Sequence, residues 1–183
     1  VHTGRMRLFV AVDPPLRVVE LLDSLPRAAD RGLRWTGPDQ WHVTLRFLGE
    51  VDEPAAVATA LAGITHTPDL GAVEAQLGPA TAWFPGARVL QVPVAGLDAL
   101  ARAVSEATAP WGPAEPPAFA GHLTLARTRG RTAGPAGLAG TPVATRFDVT
   151  EVVLYESRRG PGGPTYEALA TVPLGSVGPL GSG

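Results

Sequence analysis

The chain has 183 residues (18.9 kDa) and a formal net charge of −2, with 45% hydrophobic and 17% charged residues. That supplies a packed core, and it excludes both a disordered chain and a protein that coats nucleic acid through a broadly basic surface. With no cysteine and no lysine, all 15 basic residues being arginine, disulfides, thiolate nucleophiles, thiolate metal sites, Schiff bases and phosphate-loop lysines are excluded as well.

Catalysis would fall to histidine, carboxylates, hydroxyls or the planar forks of arginine. No apolar run approaches the ~18–20 residues that cross a bilayer, and no secretory leader pattern opens the sequence, so the expected location is the cytoplasm.

Arg5–Val12 reads as a buried strand ended by Asp13-Pro14-Pro15. Leu16, Val19, Leu22 and Leu25 then recur at helical spacing until Pro26. Leu33–Trp35 precedes a Gly37-Pro38-Asp39 turn, and Trp41–Leu48 alternates as a second strand closed by Gly49. Glu53–Ile64 is an Ala-rich helix that begins at Pro54. Ala72–Trp83 and Arg88–Val94 are strands joined through Phe84-Pro85-Gly86-Ala87 as a hairpin, and Leu97–Ala109 is an amphipathic helix. Past the Pro-rich loop Pro110–Pro117, His122–Arg127 is strand-like, and Gly130–Thr141 is a loop with one helical turn. Arg146–Tyr155 and Thr165–Val172 are strands on either side of an Arg158–Pro164 loop. Residues Val1–Arg5 and Gly175–Gly183 are expected as frayed tails. The mixture predicts an α+β fold in one two-lobed domain spanning 1–183.

One tetrapeptide pattern occurs twice, His42-Val43-Thr44-Leu45 and His122-Leu123-Thr124-Leu125, eighty residues apart. In a strand, side chains two apart share a face, so each copy presents an imidazole beside a hydroxyl while its apolar residues turn into the core. Two similar lobes facing one another would bring these four groups to one cleft. An imidazole pKa near ~6.5 lets one histidine be neutral and the other protonated at neutral pH. Such a pair takes a proton from water on one side of a phosphorus and gives one to the leaving oxygen on the other, which is what opening a 2',3'-cyclic phosphate requires. No metal or cofactor is needed, and a metal site would want a third ligand that is not evident.

Thr44 and Thr124 also suit ordinary strand positions, and single histidines such as His2 and His66 read as a terminal and a loop residue. Alternation puts Arg46 on the face of His42 and Thr44, where it is a candidate to bind the phosphate. Arg127 reaches the site only if its strand ends or twists after Leu125. Trp41 and Phe47 could stack on a base but are expected in the core, and Arg158 and Arg159 lie in a charged loop that either grips an RNA backbone or is simply solvated.

With Arg7–Val12, Trp41–Gly49, Phe119–Arg127 and the closing Tyr155-Glu156-Ser157 and Gly163–Glu167, the chain resembles the two-histidine phosphoesterases, in particular the RNA 2',3'-cyclic phosphodiesterases also called 2'-5' RNA ligases. The resemblance implies a bilobal α+β fold with pseudo-two-fold symmetry, antiparallel or mixed sheets lining a cleft and helices outside. It implies hydrolysis of RNA 2',3'-cyclic phosphate ends to 2'-phosphomonoesters, with His42 as proton donor and His122 as proton acceptor. Thr44, Thr124 and Arg127 would bind phosphate. Other readings are another cyclic or 2',5'-linked nucleotide as substrate, or a protein that binds or joins RNA ends with little hydrolysis.

Overall fold

Short runs of Val, Leu and Phe punctuated by Gly and Pro fold into strands, and the longer stretches with apolar residues at helical spacing become helices. The computed structural model describes residues 4–67, 70, 72–161 and 163–175. In chain order the elements are β1 (Met6–Val12), α1 (Leu16–Asp23), β2 (Leu33–Trp35), β3 (Val43–Val51), α2 (Pro54–Ala62), β4 (Val73–Leu77), β5 (Ala82–Trp83), β6 (Val89–Ala95), α3 (Asp98–Ala107), β7 (His122–Thr128), β8 (Thr145–Val149), β9 (Glu151–Gly160) and β10 (Gly163–Pro173).

The strands form one sheet in the order β10-β9-β1-β3-β7-β6-β4-β8, with β2 added to β7 and β5 to β6. Every strand pairing among the described residues is antiparallel. Between β3 and β7 one residue pair, Val43 with Leu123, joins the halves. Around it the register repeats. In β1 and β3, Val12, Ala11, Val10 and Phe9 face Val43, Thr44, Arg46 and Phe47; in β6 and β7, Val92, Gln91, Leu90 and Val89 face Leu123, Thr124, Ala126 and Arg127. Each position of one set lies eighty residues from its counterpart in the other. The pseudo-two-fold therefore passes beside Val43 and Leu123.

One buried cluster draws on both halves, including Leu8, Val10, Val43, Leu61, Leu90, Val92, Leu100, Leu123 and Phe147. Each half's helix reaches across: α3 packs on β3, and Arg17 of α1 donates to Thr145 Oγ1 and the Arg146 carbonyl of β8. Burial of these side chains, about 25 cal/mol for each Å² of apolar surface, holds the halves together and fixes the opposite face of β3 and β7 as a cleft. No helix of the described residues is long and apolar enough to cross a membrane.

Several local expectations change. Leu33–Trp35 is a strand, pairing with β7. β3 starts at Val43 and runs through Gly49, which sits at a register shift with φ 72° and does not end the strand. Ala72–Trp83 is broken at Gly78-Pro79, where proline has no N–H to give a ladder. Arg146–Tyr155 is two strands, because Thr150 hands the chain from β4's edge to β1's. Arg158, Arg159 and Gly160 are paired strand residues opposite Thr165, Pro164 and Gly163, so the loop contracts to a tight hairpin tip. His66 closes a short 3-10 turn, Gly63–His66. Arg5 pairs with Asp52 at 3.3 Å. The tails at 1–3 and 176–183, His2 among them, lie outside the described residues.

Candidate active site

The ladder across Val43 and Leu123 is antiparallel, so His42 lies across from Thr124 and Thr44 across from His122. Alternation then puts all four on the cleft face. They line one cavity of about 490 Å³, together with Arg127, Phe47, Tyr166 and Gln40.

The pairing between β1 and β3 skips Leu45, and that between β6 and β7 skips Leu125. Each skip is a β-bulge, which inserts one residue and reverses the alternation beyond it. This decides the arginines. Past its bulge Arg127 returns to the face of His122 and Thr124 and lines the cavity. Past the matching bulge Arg46 leaves the face of His42. It is 7% exposed, and its guanidinium donates to the Ser105 carbonyl and Oγ and, at 3.0 Å, to the Trp111 carbonyl beneath α3. Burial pushes the Arg46 pKa down. The expected phosphate contact by Arg46 is thus corrected to a structural one. The residue matching Arg127 across the two-fold is Phe47, 59% exposed in the cavity wall, not in the core as expected. Trp41 is buried, as its composition suggested, and its indole donates to Thr36 Oγ1 at 3.0 Å.

The imidazoles have matched supports. His122 Nδ1 lies 2.8 Å from the Ala120 carbonyl, an acceptor only, so Nδ1 is the donor of this bond and Nε2 is the nitrogen left to face the cavity. His42 has the equivalent partner, the backbone of Gln40. Aromatic edges close on both rings, Tyr166 on His42 at 4.9 Å and Phe84 on His122 at 4.6 Å between centroids. The environments still differ. Burial lowers the His42 pKa to about 4; the Gln40 backbone opposes this, and the charges of His122 and Arg127 add to it.

The flanks of the site differ too. On one side β2 lies along β7, and Thr36 secures the bulge, its N–H donating to the Leu125 carbonyl at 2.9 Å and its hydroxyl lying 2.7 Å from the Thr124 carbonyl. On the other side the matching stretch is Pro113–Pro116, which forms no strand because proline cannot supply the ladder's donors. A recess of about 410 Å³ opens there, walled by Thr44, Phe47, Phe119 and His122 but not by His42.

Arg158, considered above for an RNA backbone, is bound to Glu156 and Glu167, each at 2.8 Å, whereas Arg159 faces the cavity. Arg7, Arg34, Gln40 and Tyr166 in the wall went unnoticed in the sequence. Arg7 and Tyr166 do lie inside the stretches that carried the family resemblance. Among the described residues no group of three or more His, Cys, Asp or Glu stands close enough to hold a metal ion.

A family model described as LigT like phosphoesterase matches residues 10–79. Among solved structures, TT0787 of Thermus thermophilus is similar with 25% identity and a TM-score of 0.76, covering 94% of this chain and 100% of that one. Escherichia coli LigT complexed with 3'-AMP is similar with 28% identity and a TM-score of 0.69, covering 93% and 98%. That protein is also known complexed with ATP, NADP+ and phosphate. The MHV ns2 PDE domain shares the fold at 13% identity and a TM-score of 0.59. Among curated protein sequences none matches.

Proposed function

The chain belongs to the two-histidine phosphoesterase superfamily, in its LigT-like 2'-5' RNA ligase family, and from that footing we propose that it opens 2',3'-cyclic phosphates on RNA ends to leave 2'-phosphomonoesters. The observation that carries the reading is the pair of imidazoles on one cavity wall, each beside a threonine, with Arg127 on the same face.

A cyclic phosphate seated between the motifs would meet donors from Thr44, Thr124 and Arg127 on its nonbridging oxygens, where they oppose the charge that grows in the transition state. His122 Nε2 takes a proton from water as its oxygen bonds to phosphorus. The phosphorus–O3' bond breaks, and O3' takes a proton from His42. The product is a 2'-phosphate with a free 3'-hydroxyl, and exchange with solvent resets both rings. In the free protein His42 is held neutral near pH 7. A phosphate anion brings the opposite charge that raises its pKa, so the proton that His42 delivers arrives with the substrate. Phe47, matched to Arg127 across the two-fold, offers an exposed ring in the cavity wall for a nucleobase to stack on.

The depressed basicity of His42 favours a second reading in which the two roles are exchanged. A cyclic substrate with sulfur in place of O3' separates them, because a thiolate leaves without protonation. It restores turnover to the variant lacking the donor, His42→Ala on the first reading and His122→Ala on the second.

The founding test is end-group analysis of an RNA oligonucleotide with a 2',3'-cyclic phosphate, incubated with protein and EDTA. Conversion to a 2'-phosphate is expected. A 3'-phosphate, or turnover only when metal is restored, would overturn the reading.

A further inference from the structure

The two histidines have matched aromatic neighbours, but only one neighbour carries a hydroxyl. On the His122 side it is Phe84, edge-on to the imidazole at 4.6 Å and not part of the cavity wall. On the His42 side it is Tyr166 of β10, edge-on at 4.9 Å and part of that wall. The chain has two tyrosines, and both rings pack on Phe9. Tyr155 donates its hydroxyl to Asp13 Oδ2 at 2.7 Å, away from the cavity. The Tyr166 hydroxyl has no hydrogen bond among the described residues and is not one of their buried unpaired atoms, so it opens on the cavity.

That oxygen lies among the groups that would handle the phosphate. Burial raises the pKa of the Tyr166 phenol, and the charges of Arg127, Arg34 and Arg7 oppose the rise. Arg127 acts on His42 as well, so the phenol, the imidazole and this guanidinium border one volume of the cavity. A phenol with a raised pKa keeps its proton at neutral pH and serves there as a donor. Its position is braced, because Gln40 Nε2 donates to the Pro164 carbonyl at 2.7 Å and ties β10 to the segment that leads into His42.

In the reaction proposed above the two sides of the phosphorus have different needs. The attacking water loses a proton and calls for an acceptor. The departing O3' gains negative charge and calls for donors, and a donor already in place costs no reorganisation at that moment. The hydroxyl stands on the side of His42, the proton donor, and the His122 side has none.

We propose that Tyr166 is a further catalytic residue, its hydroxyl donating a hydrogen bond to O3' as the phosphorus–O3' bond breaks. His42 delivers the proton that O3' keeps, and the phenol holds its own throughout. The inference rests on the proposed reaction with His42 as donor and adds a residue to it.

Tyr166→Phe removes one oxygen and leaves the ring against His42. Two oligonucleotides ending in a 2',3'-cyclic phosphate test it, one natural and one with sulfur in place of O3', whose thiolate leaves unprotonated and accepts hydrogen bonds weakly. On the oxygen substrate kcat should fall ~10-fold or more while KM stays within about 2-fold, as for a charge-assisted hydrogen bond made only in the transition state. On the sulfur substrate kcat should fall by less than about 2-fold. The His42 titration, followed by NMR, should keep its midpoint, which a general loosening of the pocket would move. Tyr155→Phe should show no such difference between the substrates. Wild-type kcat on the oxygen substrate, equal losses on both, a displaced His42 midpoint, or the same pattern in Tyr155→Phe would overturn the inference and leave the reaction standing. Wild-type protein that turns over neither substrate would overturn the proposed function itself.

Discussion

Tyr166 stands edge-on to the imidazole of His42, with 4.9 Å between ring centroids and 87° between planes. Phe9 lies against the same imidazole, also at 4.9 Å. Between them the two rings exclude water from one histidine of the pair, and this makes two symmetry-related residues chemically unequal.

For His42 the prediction is a titration near pH 4 in the free protein that moves upward when phosphate or adenosine 2'-phosphate is added, followed by NMR of the imidazole protons. A midpoint unmoved at ligand saturation would sink its role as donor. The same group links stability to pH. Its folded pKa lies below the unfolded value of ~6.5, so between the two the unfolded chain binds more protons. Its contribution to stability is complete above pH ~6.5 and is lost as pH falls towards 4. His42→Gln should flatten that part of the urea-midpoint profile.

Replacing either histidine by alanine should lower kcat/KM by ~10²–10⁴-fold. The double variant should lose little more than the worse single one, because the two act as a unit. Single-turnover rates on a cyclic-phosphate oligonucleotide measure this, and undiminished activity in the double variant would remove both rings from the chemistry.

The two bulges separate the roles of Arg46 and Arg127. Arg46→Met strands the acceptors of Ser105 and Trp111 under α3 and should destabilise the protein by about 1–3 kcal/mol. Arg127→Met should stay within about 0.5 kcal/mol of the wild type while losing at least ~10-fold in kcat/KM. Urea melts beside steady-state kinetics decide the matter, and the opposite pattern would mean that the assigned faces are exchanged.

Gly121 precedes His122, and a Cβ there would strike the Val94 carbonyl, which belongs to the strand that holds β7 in place. Gly121→Ala should displace the histidine and cost about 1–3 kcal/mol of stability as well as activity. A thermal melt and kcat/KM at wild-type values would show that the backbone yields freely at this point.

Much of this was legible in the sequence. The repeated tetrapeptide gave the strand faces, and it located His42, Thr44, His122 and Thr124 before any pairing was known. The bulges at Leu45 and Leu125 were not legible, because a bulge exists only relative to a partner strand. The assignments of Arg46, Phe47 and Arg127 all depended on them. Arg158–Pro164 has the composition of a loop, yet β9 and β10 extend into it because each supplies the other's hydrogen bonds. Leu33–Trp35, at three residues, is too short for periodicity to show, and only its ladder with β7 makes it a strand.

The prolines at 113 and 116 have a consequence for traffic. A groove with perfect two-fold symmetry would admit a nucleophile equally from either end. Here β2 lies along one end and a recess opens beside His122 at the other, so in the proposed reaction water would reach the phosphorus from the recess and the departing oxygen would lie towards β2.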